Sequence, residues 1–175
     1  MKKCHIETCM IGSIAVLMAG IFFAEQALAL EISSQDFKHN QPMPAIHSCD
    51  GHNISPQLSW SGAPEGTKSF ALTCIDPDAP MGNFIHWLVY NIPASAKGIP
   101  RGGPLPEGAT EVTNDFGKIS YGGPCPPSGT HRYFFTLYAL KTEKLAGLTK
   151  DNFIKMVRKN QLATAQIIGL YKRPQ

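Results

Sequence analysis

The sequence predicts a single, mostly β domain with one helix near its carboxyl end. Short apolar runs rich in aromatic and β-branched residues alternate with turns, for which the chain carries 16 glycines and 14 prolines. This pattern is typical of strands joined by tight loops. A single stretch near the carboxyl end instead places its apolar residues at helical spacing. The length suits one ordinary domain with one core.

Three runs have the composition of strands, namely Lys68–Ile75, Phe84–Ile92 and Arg132–Leu140. In the last run the odd-numbered residues from Tyr133 to Ala139 and the even-numbered residues from Phe134 to Leu140 form two faces that are both largely apolar. A strand of this kind is covered on both sides, as in a sandwich of sheets.

The predicted helix covers Lys150–Lys159, with Thr149 as its amino-terminal cap and Asn160 as its end. Phe153, Ile154 and Val157 form the apolar stripe of this helix. The next segment, 162–171, alternates between small or apolar and polar residues and is predicted to be a further strand.

The first 29 residues are predicted to be a signal peptide that is removed. Lys2 and Lys3 precede the uncharged run Met10–Ala24, and Ala27-Leu28-Ala29 has the small-x-small cleavage pattern. The alternative is a membrane anchor, but the run is shorter than the roughly 20 residues that a spanning helix needs. The remaining domain is then residues 30–175, in the periplasm or secreted.

Charge gives little information about partners. The formal net charge is +3, and the leader's two lysines and two glutamates leave it unchanged. So mild an excess does not indicate nucleic acid. No run after the leader is apolar enough for membrane insertion, and no cofactor is expected.

Three cysteines remain after the predicted cleavage. Cys74 lies in an apolar strand-like run, where a buried thiol is expected. Cys49 and Cys125 both lie in glycine- and proline-rich loops, and in an oxidising compartment they are predicted to form a disulfide. The alternative is a zinc site that adds His52 and His131, although the spacing fits known zinc patterns poorly.

The side chains that could carry chemistry lie at the ends of predicted strands. Asp76 and Asp78 end one strand, His86 lies in the next, and His131 opens a third with Tyr133 behind it. Imidazole and phenol groups donate hydrogen bonds to phosphate oxygens, and a protonated histidine adds charge. Asp78 is expected to orient a histidine by accepting from its second ring nitrogen. His39, His47 and His52 are predicted to be loop residues.

These motifs, in this order, resemble those of the phosphatidylethanolamine-binding (Raf kinase inhibitor-like) family. The similarity is greatest to its bacterial YbhB/YbcL-type branch, whose exported members carry a cysteine in each of the two loops that hold Cys49 and Cys125. The resemblance spans essentially the whole chain after the leader. The matching segments are Asn53–Trp60, Pro64–Ser69, Asp76–Pro80, His86-Trp87 with Asn91–Pro93, and Tyr121–Tyr133.

The resemblance implies a Greek-key β-sandwich with a small anion pocket near the surface. It also implies a cis peptide bond between Ala79 and Pro80. Carried over residue by residue, the pocket consists of Asp76, Asp78, His86, His131 and Tyr133, with backbone from Gly123 and Pro124.

The implied function is binding of phosphate, a phospholipid head group or a similar small anion. The alternative is contact inhibition of a protease or kinase through the rim of the pocket, by analogy with the family. A hydrolase with a metal held by Asp76, Asp78, His86 and His131 is a third reading. It is not favoured, because the sequence shows no nucleophile–base pair, and we expect no enzyme activity. Bacterial members of the family often pair, so a homodimer is a further expectation.

Overall fold

The computed structural model describes residues 29–174, so residues 1–28 of the predicted signal peptide lie outside the described part. The described part is mostly strand with one α-helix near the carboxyl end, as predicted. Its elements are β1 (Glu31–Ser33), β2 (Gln41–Pro42), a 3-10 helix (Ala45–His47), β3 (Leu58–Ser61), β4 (Ser69–Asp76), β5 (Phe84–Pro93), β6 (Gly98–Ile99), β7 (Thr110–Glu111), β8 (His131–Leu140), α1 (Phe153–Asn160) and β9 (Gln161–Tyr171).

Two sheets pack face to face and enclose the main core. The small sheet has the order β1-β3-β6, and the large one has the order β2-β9-β8-β4-β5-β7. In the large sheet β4 lies between β5 and β8, which is far from it in sequence, and this crossover gives the Greek-key arrangement. The sheets meet where the rings of Trp60 and Phe70 lie 5.6 Å apart between centroids. The expected Greek-key β-sandwich is thus confirmed.

The apolar strand β8 separates two clusters of buried side chains, as its two apolar faces predicted. Tyr133, Phe135 and Leu137 enter the core between the sheets. On the opposite face Tyr138 and Leu140 lie under α1, where Phe153 is fully buried. Phe134 is only half-buried, since the short helix covers only part of this face.

The ends of three central strands meet at one edge of the large sheet. β4 runs antiparallel to both β5 and β8, so its last residue, Asp76, is paired with Phe84, and Ile75 is paired with Phe134. The carboxyl end of β4 therefore lies beside the amino ends of β5 and β8. This topology brings the predicted site residues together from segments that are distant in sequence.

A β-bulge in β5 determines which way His86 points. Cys74 pairs with Trp87 and Ile75 pairs with Ile85, so His86 is an extra residue in β5. Trp87 belongs to the core between the sheets, whereas Ile85 packs on the opposite cluster. Regular alternation along β5 from Trp87 would turn His86 to the outer face. Because a bulge can re-aim a side chain, His86 instead contacts Tyr133 on the inner face.

The helix starts later than predicted. It covers Phe153–Asn160 and ends at Asn160 as expected, but Thr149 does not cap it through its side chain. The Thr149 carbonyl oxygen accepts from the Phe153 N–H at 3.0 Å, and the Asn152 side chain accepts from the Thr149 N–H at 2.8 Å. The bond from Asn152 is a local side-chain-to-backbone bond, which competes with helix formation, and residues 150–152 form a turn instead.

In the described residues, no helix combines the length and apolar character needed to span a bilayer.

Candidate functional site

A cavity of about 240 Å³ opens at the edge where β4, β5 and β8 converge. Three of the predicted ligand-binding side chains, Asp76, His86 and His131, lie in its wall. Most of the remaining wall is apolar, and it includes the rings of Phe84 and Phe116, which the sequence analysis did not select as site residues. The lining residues are Asp76, Ala79, Pro80, Phe84, His86, Phe116, Cys125, Pro126, Pro127 and His131.

His86 is almost fully buried, and one of its ring nitrogens is committed to the fold. Its Nδ1 lies 2.6 Å from the carbonyl oxygen of Gly122. Since a carbonyl oxygen only accepts, Nδ1 carries a hydrogen in both charge states of the ring, and Nε2 changes from acceptor to donor on protonation. Burial lowers the pKa of His86 below its ordinary value, opposed by the Gly122 carbonyl and the Asp76 carboxylate.

His131 is anchored in the same manner by Asp76. Its Nδ1 lies 2.7 Å from Asp76 Oδ2, and the other carboxylate oxygen of Asp76 accepts from the Asp78 N–H at 2.8 Å. The side chain of His131 is only 9% exposed, and that of Asp76 is only 4% exposed. Both oxygens of this buried carboxylate are therefore engaged, and the second nitrogen of His131 has no hydrogen-bond partner among residues 29–174.

Tyr133 packs edge-on against His86, with ring centroids 5.1 Å apart. Its hydroxyl is buried and has no hydrogen-bond partner among residues 29–174. Burial and the nearby Asp76 carboxylate raise the pKa of Tyr133. The phenol therefore keeps a proton that it could donate, although its ring lies behind the cavity wall rather than in it.

Asp78 does not orient a histidine, so that expectation is wrong. Its carboxylate binds the Arg132 guanidinium through two bonds of 2.9 and 2.6 Å and accepts from the Arg132 backbone N–H. The Arg132 guanidinium holds the pKa of Asp78 down at about 2. Side chains two residues apart differ here because Asp76 ends β4 and faces the core, whereas Asp78 lies in the following turn, half-exposed beside Arg132.

Gly123 and Pro124 come just before Cys125 of the cavity wall, and each has one backbone group bonded within the fold. The Gly123 N–H donates to Asn53 Oδ1 at 2.6 Å, and the Pro124 carbonyl accepts from the Cys49 N–H at 3.0 Å. A Cβ at Gly123 would lie 2.2 Å from the His47 carbonyl oxygen, so only glycine fits. The neighbouring Gly122 fixes His86 through its carbonyl oxygen, and the ligand contacts expected of Gly123 and Pro124 stay predictions.

The prediction of a disulfide between Cys49 and Cys125 is confirmed, and Cys74 is the expected buried free thiol. Both bonded cysteines are solvent-exposed, and Cys125 lines the cavity. The bond excludes the alternative zinc site, because neither sulfur is free to ligate. Within the described chain no cluster of three or more metal-ligating side chains was found.

Two further expectations about loops do not hold. The Ala79–Pro80 bond is trans, while Gly103–Pro104 is the cis bond in the described part of the chain. Trans is the intrinsic preference before proline unless tertiary contacts select cis. His47 is not an open-loop residue either, since it lies in the 3-10 helix at 1% exposure and its Nδ1 lies 3.0 Å from the Ile54 carbonyl oxygen.

Comparison with known proteins agrees with this architecture. The family model described as phosphatidylethanolamine-binding protein matches residues 33–172. A UPF0098 protein of Aquifex aeolicus is 45% identical over 173 residues, which cover 94% of this chain and 99% of the relative. The UPF0098 protein YbcL of Escherichia coli is 41% identical over 176 residues, which cover 91% and 96% of the two chains.

A solved structure is also similar. The crystal structure of Escherichia coli YbcL, described as a new member of the mammalian PEBP family, superimposes with a TM-score of 0.79. The two chains are 40% identical, and the match covers 83% of this chain and 99% of the other.

Proposed function

Since the chain belongs to the phosphatidylethanolamine-binding protein family, we propose that it binds a phosphate group, free or as part of a phospholipid head group, in the cavity at Asp76, His86 and His131. One observation carries the proposal. Both histidines fix Nδ1 to the protein, and neither Nε2 has a bonded partner among the described residues. Two such nitrogens in one cavity form a preorganised pair of donors once they are protonated.

The acidic group in the cavity is compatible with an anionic ligand. Each oxygen of Asp76 already accepts a hydrogen bond from the protein, and protonation of His131 turns the two side chains into a neutral pair. The carboxylate then holds the imidazolium in place while the ligand contacts Nε2. Asp76 is a positioning residue in this account, and His86 and His131 are the ligand contacts.

We propose binding rather than catalysis. Cys74, the free thiol nearest to this end of β4, is fully buried, and burial raises its pKa well above the ordinary value. A thiol in that environment is a poor nucleophile. The cavity histidines are tied to a carbonyl and to a carboxylate, which suits recognition of an anion at least as well as proton transfer.

Titration with inorganic phosphate, followed by NMR of the His86 and His131 side chains, tests the proposal. We expect saturable shifts in wild type and a loss of affinity of at least about tenfold in His86→Ala, because a charge-assisted hydrogen bond is worth roughly 1.5–3 kcal/mol. Absence of any shift up to millimolar phosphate would sink the proposal. Leu162→Ser, at the start of β9 and thus at the opposite end of the sheet from His131, serves as the control and should bind like wild type.

The same titration should depend on pH in one direction. Because His86 must gain a proton to donate from Nε2, and burial lowers its pKa, affinity should fall as the pH rises through neutrality. One proton taken up on binding corresponds to about tenfold per pH unit. Sulfate, which does not titrate in this range, separates protonation of the protein from that of phosphate. Sulfate affinity independent of pH would contradict the assigned role of His86.

We also propose that the protein is exported and that residues 1–29 are removed. The leader pattern and the solvent-exposed disulfide support this, because such bonds persist in oxidising compartments. Amino-terminal sequencing of the protein recovered from outside the cytoplasm should begin at Leu30. Recovery of only the full-length chain, in the cytoplasm, would show the proposal to be wrong.

A further inference from the structure

Most of the exposed large apolar side chains in the described chain lie on loops that contribute to the cavity wall. In residues 29–174, four large hydrophobic side chains are exposed, namely Met81 at 100%, Ile119 at 66%, Leu162 at 43% and Phe116 at 42%. Leu162 lies on β9. The other three belong to two loops that contribute to the cavity wall, and we call Met81, Phe116 and Ile119 the apolar rim.

The contacts of these loops place the rim beside the anion site. Phe116 is itself part of the cavity wall, and its ring centroid lies 4.8 Å from that of Phe84 and 5.3 Å from that of His86. Met81 directly follows Pro80, another wall residue. Ile119 belongs to the same tight loop as Phe116, which is closed by the bond from the Asn114 N–H to the Lys118 carbonyl at 2.9 Å.

We infer that the apolar rim docks on the surface of a phospholipid bilayer, with the cavity facing the head groups. This inference rests on the proposed function. A bilayer presents phosphate groups directly beside acyl chains, so a phosphate cavity ringed by apolar side chains complements it better than it complements a phosphate ion in water. Apolar side chains that reach the boundary between head groups and acyl chains leave water, which stabilises the docked state.

The charges beside the rim suit an anionic surface. Asp78 is paired with Arg132 and Asp115 is paired with Lys150, so neither carboxylate stands uncompensated. Lys118, between two rim residues, is exposed and forms no ion pair with the described residues. A lysine near an anionic membrane strengthens binding by about fivefold. Because only three rim side chains leave water, the protein stays on the membrane surface and its binding is reversible.

Cosedimentation with vesicles of phosphatidylethanolamine and phosphatidylglycerol tests the inference, using the purified protein and single serine variants. Met81→Ser and Ile119→Ser should each weaken vesicle binding by roughly fivefold to tenfold, as expected when an aliphatic side chain no longer leaves water. Leu162→Ser removes an apolar side chain that is 43% exposed but lies outside the rim, and it should change binding less than about twofold. Phosphate affinity should stay at the wild-type value in all three variants, because none of these residues lines the cavity.

Three outcomes would overturn the inference. Wild type that binds phosphate but not vesicles would leave the proposed function standing, and the rim would then fit a protein partner instead. Vesicle binding unchanged by Met81→Ser and Ile119→Ser would assign the contact to another surface. Equal losses of vesicle binding in all three variants, including Leu162→Ser, would show that the protein adheres to vesicles nonspecifically. Failure of wild type to bind phosphate at all contradicts the proposed function itself, and the phosphate titration reports this separately.

Discussion

Replacement of both Cys49 and Cys125 by alanine is expected to lower the free energy of unfolding by about 4 kcal/mol. The bond joins positions separated by 76 residues in sequence, so its loss frees a long loop in the unfolded chain. Both cysteines are solvent-exposed, and the substitution therefore removes little buried packing. Urea unfolding followed by fluorescence, at equal protein concentration, measures the difference.

Reducing agent provides the control for this prediction. Wild type in the presence of a phosphine reductant should fall to the stability of the double variant, and the variant itself should not change. Cys74 is buried and unpaired, so it contributes no reducible bond. Equal unfolding midpoints for oxidised wild type and the double variant would show that the loop is constrained by its other contacts, such as the bond between Gly123 and Asn53.

Asp76→Ala should be strongly destabilising, by about 3–5 kcal/mol, because it breaks a buried pair and leaves its partners unsatisfied. The His131 Nδ1 and the Asp78 N–H both lose their acceptor. Phosphate affinity should also fall, since nothing then holds His131 in place. Chemical unfolding gives the first quantity, and the titration described above gives the second if the variant is folded.

Asp78→Ala is the matched control, because the same residue type lies two positions away in an exposed pair. Its side chain is 26% exposed and that of Arg132 is 53% exposed, so the loss should stay below about 1 kcal/mol. The pKa of Asp78 is lowered from 3.8 to about 2. The stabilisation from the pair is thus present above pH 3.8 and disappears as the pH falls through about 2. Equal losses for the two variants would contradict the environments assigned to these carboxylates.

The local pattern of the sequence was sufficient for the elements that lie near the site. Apolar runs identified β4, β5 and β8 to within one or two residues, because burial on both faces leaves an unmistakable composition. The helix boundary was less accurate, since the Asn152 side chain bonds the Thr149 N–H and the Gly147 carbonyl, a competition that sequence alone does not rank. The cysteine pairing followed from loop composition and from the resemblance to the family.

By itself the sequence determined a mostly β domain, the cysteine pairing and the set of Asp, His and Tyr side chains that meets at one edge of the sheet. Only the tertiary structure decided the role of each one. The bulge turns His86 inward, the Gly122 carbonyl anchors its ring, and Asp76 rather than Asp78 holds His131. Alternation along a strand is a local property, which the sequence records directly. Hydrogen-bond partners, in contrast, lie on strands that are distant in sequence. A register shift of one residue between such strands moves a side chain to the other face of the sheet, and the local sequence does not record that register.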